Sequence, residues 1–148
     1  MDNQLDIKEL LAQPKIAHNW SGLEPRSNHA GNVIGSAQLA DSEGIFLPGI
    51  TVDVEVRAPI ITNECLFFFS LMHRAGKLRT RVYQLEVCPA AKRSHNGNVV
   101  LYGPHEHVGG DEPTAIIETG VNCSDWNGCL SWFMRRINLG PFEIARPC

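Results

Sequence analysis

Residues 65–88 read CLFFFSLMHRAGKLRTRVYQLEVC, and this stretch decides the fold. Cys65 to Met72 is apolar at both alternating sets of positions, as in a central strand covered on two sides. Ala75-Gly76-Lys77 interrupts the run with a tight-turn signal, and Leu78 to Cys88 resumes it, which predicts a hairpin. Period-two alternation along the second arm places Arg79, Arg81 and Tyr83 on one face and Thr80, Val82 and Gln84 on the other.

Working outward, Val52, Val54 and Val56 alternate with Asp53, Glu55 and Arg57, the pattern of a half-buried strand. Further upstream, Asn19 to Gly44 carries Gly22, Pro25, Asn28, Gly31, Asn32 and Gly35, which predicts a long loop holding a short strand near Val33. Leu5, Ile7, Leu10 and Leu11 fit one helical face, with Asp6 and Glu9 in a capping-box relation and Pro14 as the stop. Downstream, Ser94-His95-Asn96-Gly97-Asn98 reads as a turn, Val99 to Tyr102 as a fourth strand and Thr114 to Glu118 as a fifth.

A helix is expected from about Asp125 to Leu139, N-capped by Ser124, with Arg135 and Arg136 in the last turn and Gly140-Pro141 as the stop. Trp126, Cys129, Leu130, Phe133 and Ile137 form its apolar stripe. The expected architecture is α+β: an antiparallel sheet of about five strands, a short N-terminal helix, and a C-terminal amphipathic helix packed on the sheet. Residues 1–148 read as one domain, with helix and loop over 1–44, sheet over 45–120, and helix and tail over 121–148.

The 148 residues are 43% hydrophobic, and no apolar run approaches the roughly 18 residues a membrane span needs. The first residues lack the basic start and apolar stretch of a secretory signal, so a cytoplasmic location is expected, with no membrane partner. Five cysteines, an odd number, then read as reduced thiols rather than a disulfide framework, with Cys65 and Cys88 buried in strands and Cys148 exposed at the end of the chain. The net charge of −3 excludes the footprint of a general nucleic-acid binder. It hides a basic strip, however: Arg74, Lys77, Arg79, Arg81, Lys92 and Arg93 stand against Glu86 alone.

The chemistry-bearing segment is Tyr102-Gly103-Pro104-His105-Glu106-His107-Val108-Gly109-Gly110-Asp111. In extended chain His105 and His107 share a face about 6.5–7 Å apart along the strand, with Glu106 on the other. Two imidazoles so placed suit acid and base work on a phosphodiester, or suit one metal ion together with a carboxylate. A structural zinc would need two further ligands from Cys88, Cys123, Cys129 or Asp111, and no Cys-x-x-Cys pair exists. No thiol has an adjacent activating base. Arg79 and Arg81 are candidates to hold phosphate, with Tyr83 or Tyr102 assisting; cross-strand pairing of these arginines with Glu55 or Glu86 is the plainer alternative.

Leu10-Leu11-Ala12-Gln13-Pro14-Lys15, Phe67-Phe68-Phe69-Ser70-Leu71, Tyr83-Gln84-Leu85-Glu86-Val87, Gly103-Pro104-His105-Glu106-His107 and Trp132-Phe133-Met134 occur in that order. The chain thereby resembles a group of small bacterial and prophage proteins known as a domain of unknown function with a Pro-His-x-His segment. Some members look like toxin partners of helix-turn-helix regulators. This sequence departs from their pattern after His107, where Val108-Gly109-Gly110-Asp111 replaces an aromatic and a basic residue. The resemblance implies a toxin with an antitoxin partner. Joined to the residue reading, it makes the expected function that of a toxin-like ribonuclease acting on RNA without cofactor or metal, through His105, His107, Tyr83 and Tyr102. The alternatives are a non-enzymatic phage or prophage protein inhibiting a host partner, and a metal-binding protein.

Overall fold

The computed structural model describes residues 6–96 and 99–147. Leu5 of the expected helical face, Gly97 and Asn98 of the expected turn, and Cys148 lie outside the described residues. In chain order the elements are α1 (Ile7–Ala12), β1 (Ile16–His18), β2 (Glu24–Pro25), β3 (Asn32–Ala40), β4 (Phe46–Arg57), β5 (Phe67–Ala75), β6 (Leu78–Val87), β7 (Arg93–Asn96), β8 (Val100–Tyr102), β9 (His105–Val108), β10 (Thr114–Ala115) and α2 (Trp126–Ile137).

The fold is α+β, and its main sheet has eight strands rather than about five, in the order β1-β3-β4-β5-β6-β9-β10 with β2 also on β3. The additional strands come largely from the stretch expected to be a long loop. β3 is nine residues long, but Gly35 interrupts its buried set of Ala37 and Leu39, and apolar Ile34 lies on its exposed face. Gly35 is required there, because a Cβ would lie 2.4 Å from the Trp20 ring that crosses it. The other difference is at Val99 to Tyr102. Its core, β8, pairs with β7 in a separate two-stranded sheet, and β9, which carries both histidines, takes the place beside β6.

α2 covers one face of the sheet. Phe67, Phe69, Leu71, Tyr83, Leu85 and Val87 are buried there with Trp126, Leu130 and Phe133 of the helix. Phe67 and Trp126 meet edge-on at 5.2 Å between centroids, and Tyr83 stacks on Phe133 at 6.0 Å, contacts worth about 0.5–1.5 kcal/mol each beyond the area they bury. All five residues of the expected apolar stripe are buried. The N-cap is Asp125 rather than Ser124, its carboxylate accepting from Gly128 N at 2.7 Å, and the helix ends at Asn138 in left-handed conformation, before Gly140.

Two features depart from strand and cysteine expectations. Leu71 faces Tyr83 while Met72 faces Arg81, so Val82 is a β-bulge and the alternation of β6 inverts across it. Arg79 and Arg81 therefore lie on the face opposite Tyr83, not beside it. Cys65 and Cys123 form a disulfide, in contrast to the expected set of free thiols; seating α2 on β5 brings their Cα atoms to 5.7 Å, a proximity that 58 residues of separation conceal. Among the described residues Cys88 and Cys129 are free and buried.

At one corner the two ends of the chain meet. Lys15 N donates to Asn138 O at 2.9 Å and Gly140 N donates to Lys15 O at 2.8 Å. The Lys15 ammonium, 1% exposed, donates to Gln13 O at 2.7 Å and to Ile137 O, capping the C-terminal ends of both helices. Burial pushes its pKa down to about 8.

Two stability measurements follow. Gly128→Ala would normally stabilise a helix by about 1 kcal/mol. Here the added Cβ would lie 2.2 Å from Gly120 O, a backbone atom, so urea denaturation should show a loss of about 2 kcal/mol instead. Reducing the Cys65–Cys123 bond, which spans 58 residues, should lower stability by about 4 kcal/mol, read as a fall in the urea midpoint against the oxidised protein.

Candidate metal centre

The pairing of β6 with β9 sets Glu86 opposite His105, Leu85 opposite Glu106 and Gln84 opposite His107. Alternation then sends His105 and His107 to the face away from α2 and Glu106 toward it. The two imidazoles are 0% and 6% exposed, with centroids 4.9 Å apart. His105 Nε2 lies 3.6 Å from Glu86 Oε2, and one ligand atom from each of Glu86, His105 and His107 lies within 4.8 Å of the others. Gly103, at φ 75°, turns the chain from β8 into β9 with its α-carbon against Ala90, where a Cβ would be 3.0 Å from the Ala90 Cα.

That turn aims Gly103 O at His105 Nδ1, 3.2 Å away. A carbonyl accepts only, so this contact is a hydrogen bond when Nδ1 carries a proton, and it holds the ring with Nε2 toward the Glu86 carboxylate. Imidazole nitrogens and a carboxylate oxygen are the donor types that share a transition-metal ion. Nitrogen and oxygen atoms that share one ion at about 2.0–2.2 Å lie about 3.0–3.5 Å apart, so the trio needs to close by little more than 1 Å.

The cluster sits at the end of two rows that cross the sheet at right angles to the strands. In one, Ser36, Asp53, Ser70, Gln84 and His107 are successive cross-strand partners; in the other, Ile34, Glu55, Phe68, Glu86 and His105. Ser36 Oγ donates to Asp53 at 2.7 Å and Gln84 Nε2 donates to Ser70 Oγ at 2.9 Å. Above the first four positions of the first row and the first three of the second lies a groove of about 750 Å³ that ends at Gln84, beside His107.

The remaining expected residues are distributed differently. Arg79 pairs with Asp53 inside the groove, rather than with Glu55 or Glu86, and Arg81 donates to Gln84 Oε1 at 3.3 Å. Tyr83 is on the α2 face, where it donates to Glu106 Oε1 at 2.7 Å and accepts from Trp132 Nε1 at 3.2 Å; it cannot assist the histidines. Arg136 closes this second cluster with two bonds to Glu106, at 2.9 and 3.1 Å. Burial and the Glu106 carboxylate push the Tyr83 phenol well above its ordinary value. Tyr102 is 58% exposed on β8. Burial raises the Cys88 thiol and lifts Cys129 to about 12, which keeps both protonated at neutral pH and poor as nucleophiles.

Alternation within β6 alone marks Glu86 as no more than a partner for arginine and gives Gln84 no role. Their signal was positional: the register that sets them opposite His105 and His107 exists only once β9 is known to pair with β6. No family model, curated protein or solved structure matches the chain.

Tyr83→Phe should cost about 1–2 kcal/mol in urea denaturation, because it leaves a Glu106 oxygen and the Trp132 N–H short of a partner.

Proposed function

We propose that the protein binds a divalent transition-metal ion through Glu86, His105 and His107. The observation that carries this reading is the convergence of one ligand atom from each of Glu86, His105 and His107 to within 4.8 Å, with the His105 ring held at Gly103 O so that Nε2 faces the carboxylate. Two imidazoles and one carboxylate are borderline donors of the kind that suit zinc, iron, cobalt or nickel. Three protein ligands leave a further coordination position for water. The Gly103 carbonyl acts as the outer partner that fixes the imidazole.

The toxin-like ribonuclease is the second reading. It is favoured by the position of the groove, which leads to His107 and contains Arg79, although the lining as a whole is negative by one charge. Counting against paired imidazoles as direct acid and base are the complete burial of His105 and the engagement of Arg79 by Asp53. Among the described residues no helix is long and apolar enough to cross a membrane.

The test starts from chelated protein and adds cobalt or zinc under calorimetry. One equivalent should bind and raise the melting temperature, as expected for an ion that binds only the folded chain. Glu86→Gln and His107→Gln, checked for folding by circular dichroism, should each weaken binding by about a hundredfold. Absence of binding, or binding undiminished in the double variant, would sink the metal reading. Cleavage of RNA by the chelated protein would transfer the three residues to the ribonuclease reading.

A further inference from the structure

The groove holds chemistry that the metal centre does not use. Its central strand is β4, whose Asp53 and Glu55 point up on the same face. An arginine reaches each carboxylate from an opposite side: Arg26, just past β2, bonds both Glu55 oxygens at 2.6 and 2.8 Å, and Arg79 reaches over β5 from β6 to Asp53. Asn32 further fixes Glu55, while Ser36 and Thr51 fix Asp53. These are pinned groups rather than loose surface charges.

Each guanidinium spends one nitrogen on its carboxylate, Nη1 in Arg26 and Nη2 in Arg79, and keeps N–H groups on the others. The groove thus offers, twice, a hydrogen-bond donor held beside an acceptor. Between and around these pairs lie Phe68 and Met72, both half-buried, and Ile34, 39% exposed. Flat apolar surface bordered by adjacent donor and acceptor matches a planar ring whose edge carries both functions.

Charge narrows the class. The lining contains Glu24, Asp53 and Glu55 against Arg26 and Arg79, an excess of one negative charge, which opposes a phosphate. A volume of about 750 Å³ is that of a small-molecule site. We propose that the groove binds an uncharged planar heterocycle with a lactam or amidine edge, that is, a nucleobase or its nucleoside. This site does not depend on the metal: the ligand stacks on Phe68 and hydrogen-bonds to the Arg26–Glu55 and Arg79–Asp53 pairs.

The experiment is a titration of the full-length, isotope-labelled, chelated protein with guanosine, adenosine, cytidine and uridine, followed by amide NMR. The corresponding 5′-monophosphates and glucose serve as comparisons. At least one nucleoside should give saturable shifts at Ser36, Val54 and Ser70 with a Kd below about 1 mM, and its monophosphate should bind more weakly. Phe68→Leu, which keeps the apolar volume and removes the ring, should weaken binding by about tenfold. Asp53→Asn should do the same by loosening Arg79, and gives a second reading if Phe68→Leu fails to fold. No saturable shift with any nucleoside, tighter binding of the monophosphates, equal binding of glucose, or full affinity in Asp53→Asn would each overturn the proposal.

Discussion

Every strand in this protein must send neighbouring side chains to opposite faces, and that constraint organises all the chemistry described above. On the face against α2 it collects Phe67, Phe69, Leu71 and Leu85, and with them Glu106, whose charge is tolerable only because Arg136 and Tyr83 bond to it. On the other face it collects Asp53, Ser70, Gln84, Glu86, His105 and His107. Three consecutive residues, His105-Glu106-His107, therefore serve two unrelated clusters separated by the thickness of one backbone.

The β-bulge at Val82 qualifies this rule and shows why only part of the site could be read from sequence. Strict alternation grouped Arg79 and Arg81 with Tyr83. One unpaired residue reverses the phase, so the arginines keep to the open face and Tyr83 enters the core, next to an equally buried Val82. A bulge depends on how two strands pair and leaves no mark in one strand's composition. The His pair itself was legible, because alternation over so short a run needs no partner. Its carboxylate was not, since Glu86 becomes a neighbour only through the register of β6 with β9.

The same distinction holds for the fold. The hairpin of 65–88, the valines of β4 and the stripe of α2 announce themselves because each buries apolar surface at a regular period. β3 does not, because Gly35 on its buried face leaves room for Trp20 and Ser36 on its open face bonds to Asp53, so neither face carries a regular apolar row. The disulfide escaped for a related reason. A cysteine pair is a statement about where a helix lands, and the odd number of cysteines pointed the other way.

The corner where Lys15 meets Asn138 has a consequence for how the molecule is made. The Lys15 ammonium and its acceptor on Ile137 are 122 residues apart, and Leu139 forms a parallel bridge back to Lys15. During synthesis β3 to β6 can pair with one another before α2 is made, whereas Lys15 lacks the Ile137 carbonyl it caps until α2 is in place. The two helices are therefore joined late, and the corner they share closes only after the strands between them have been made.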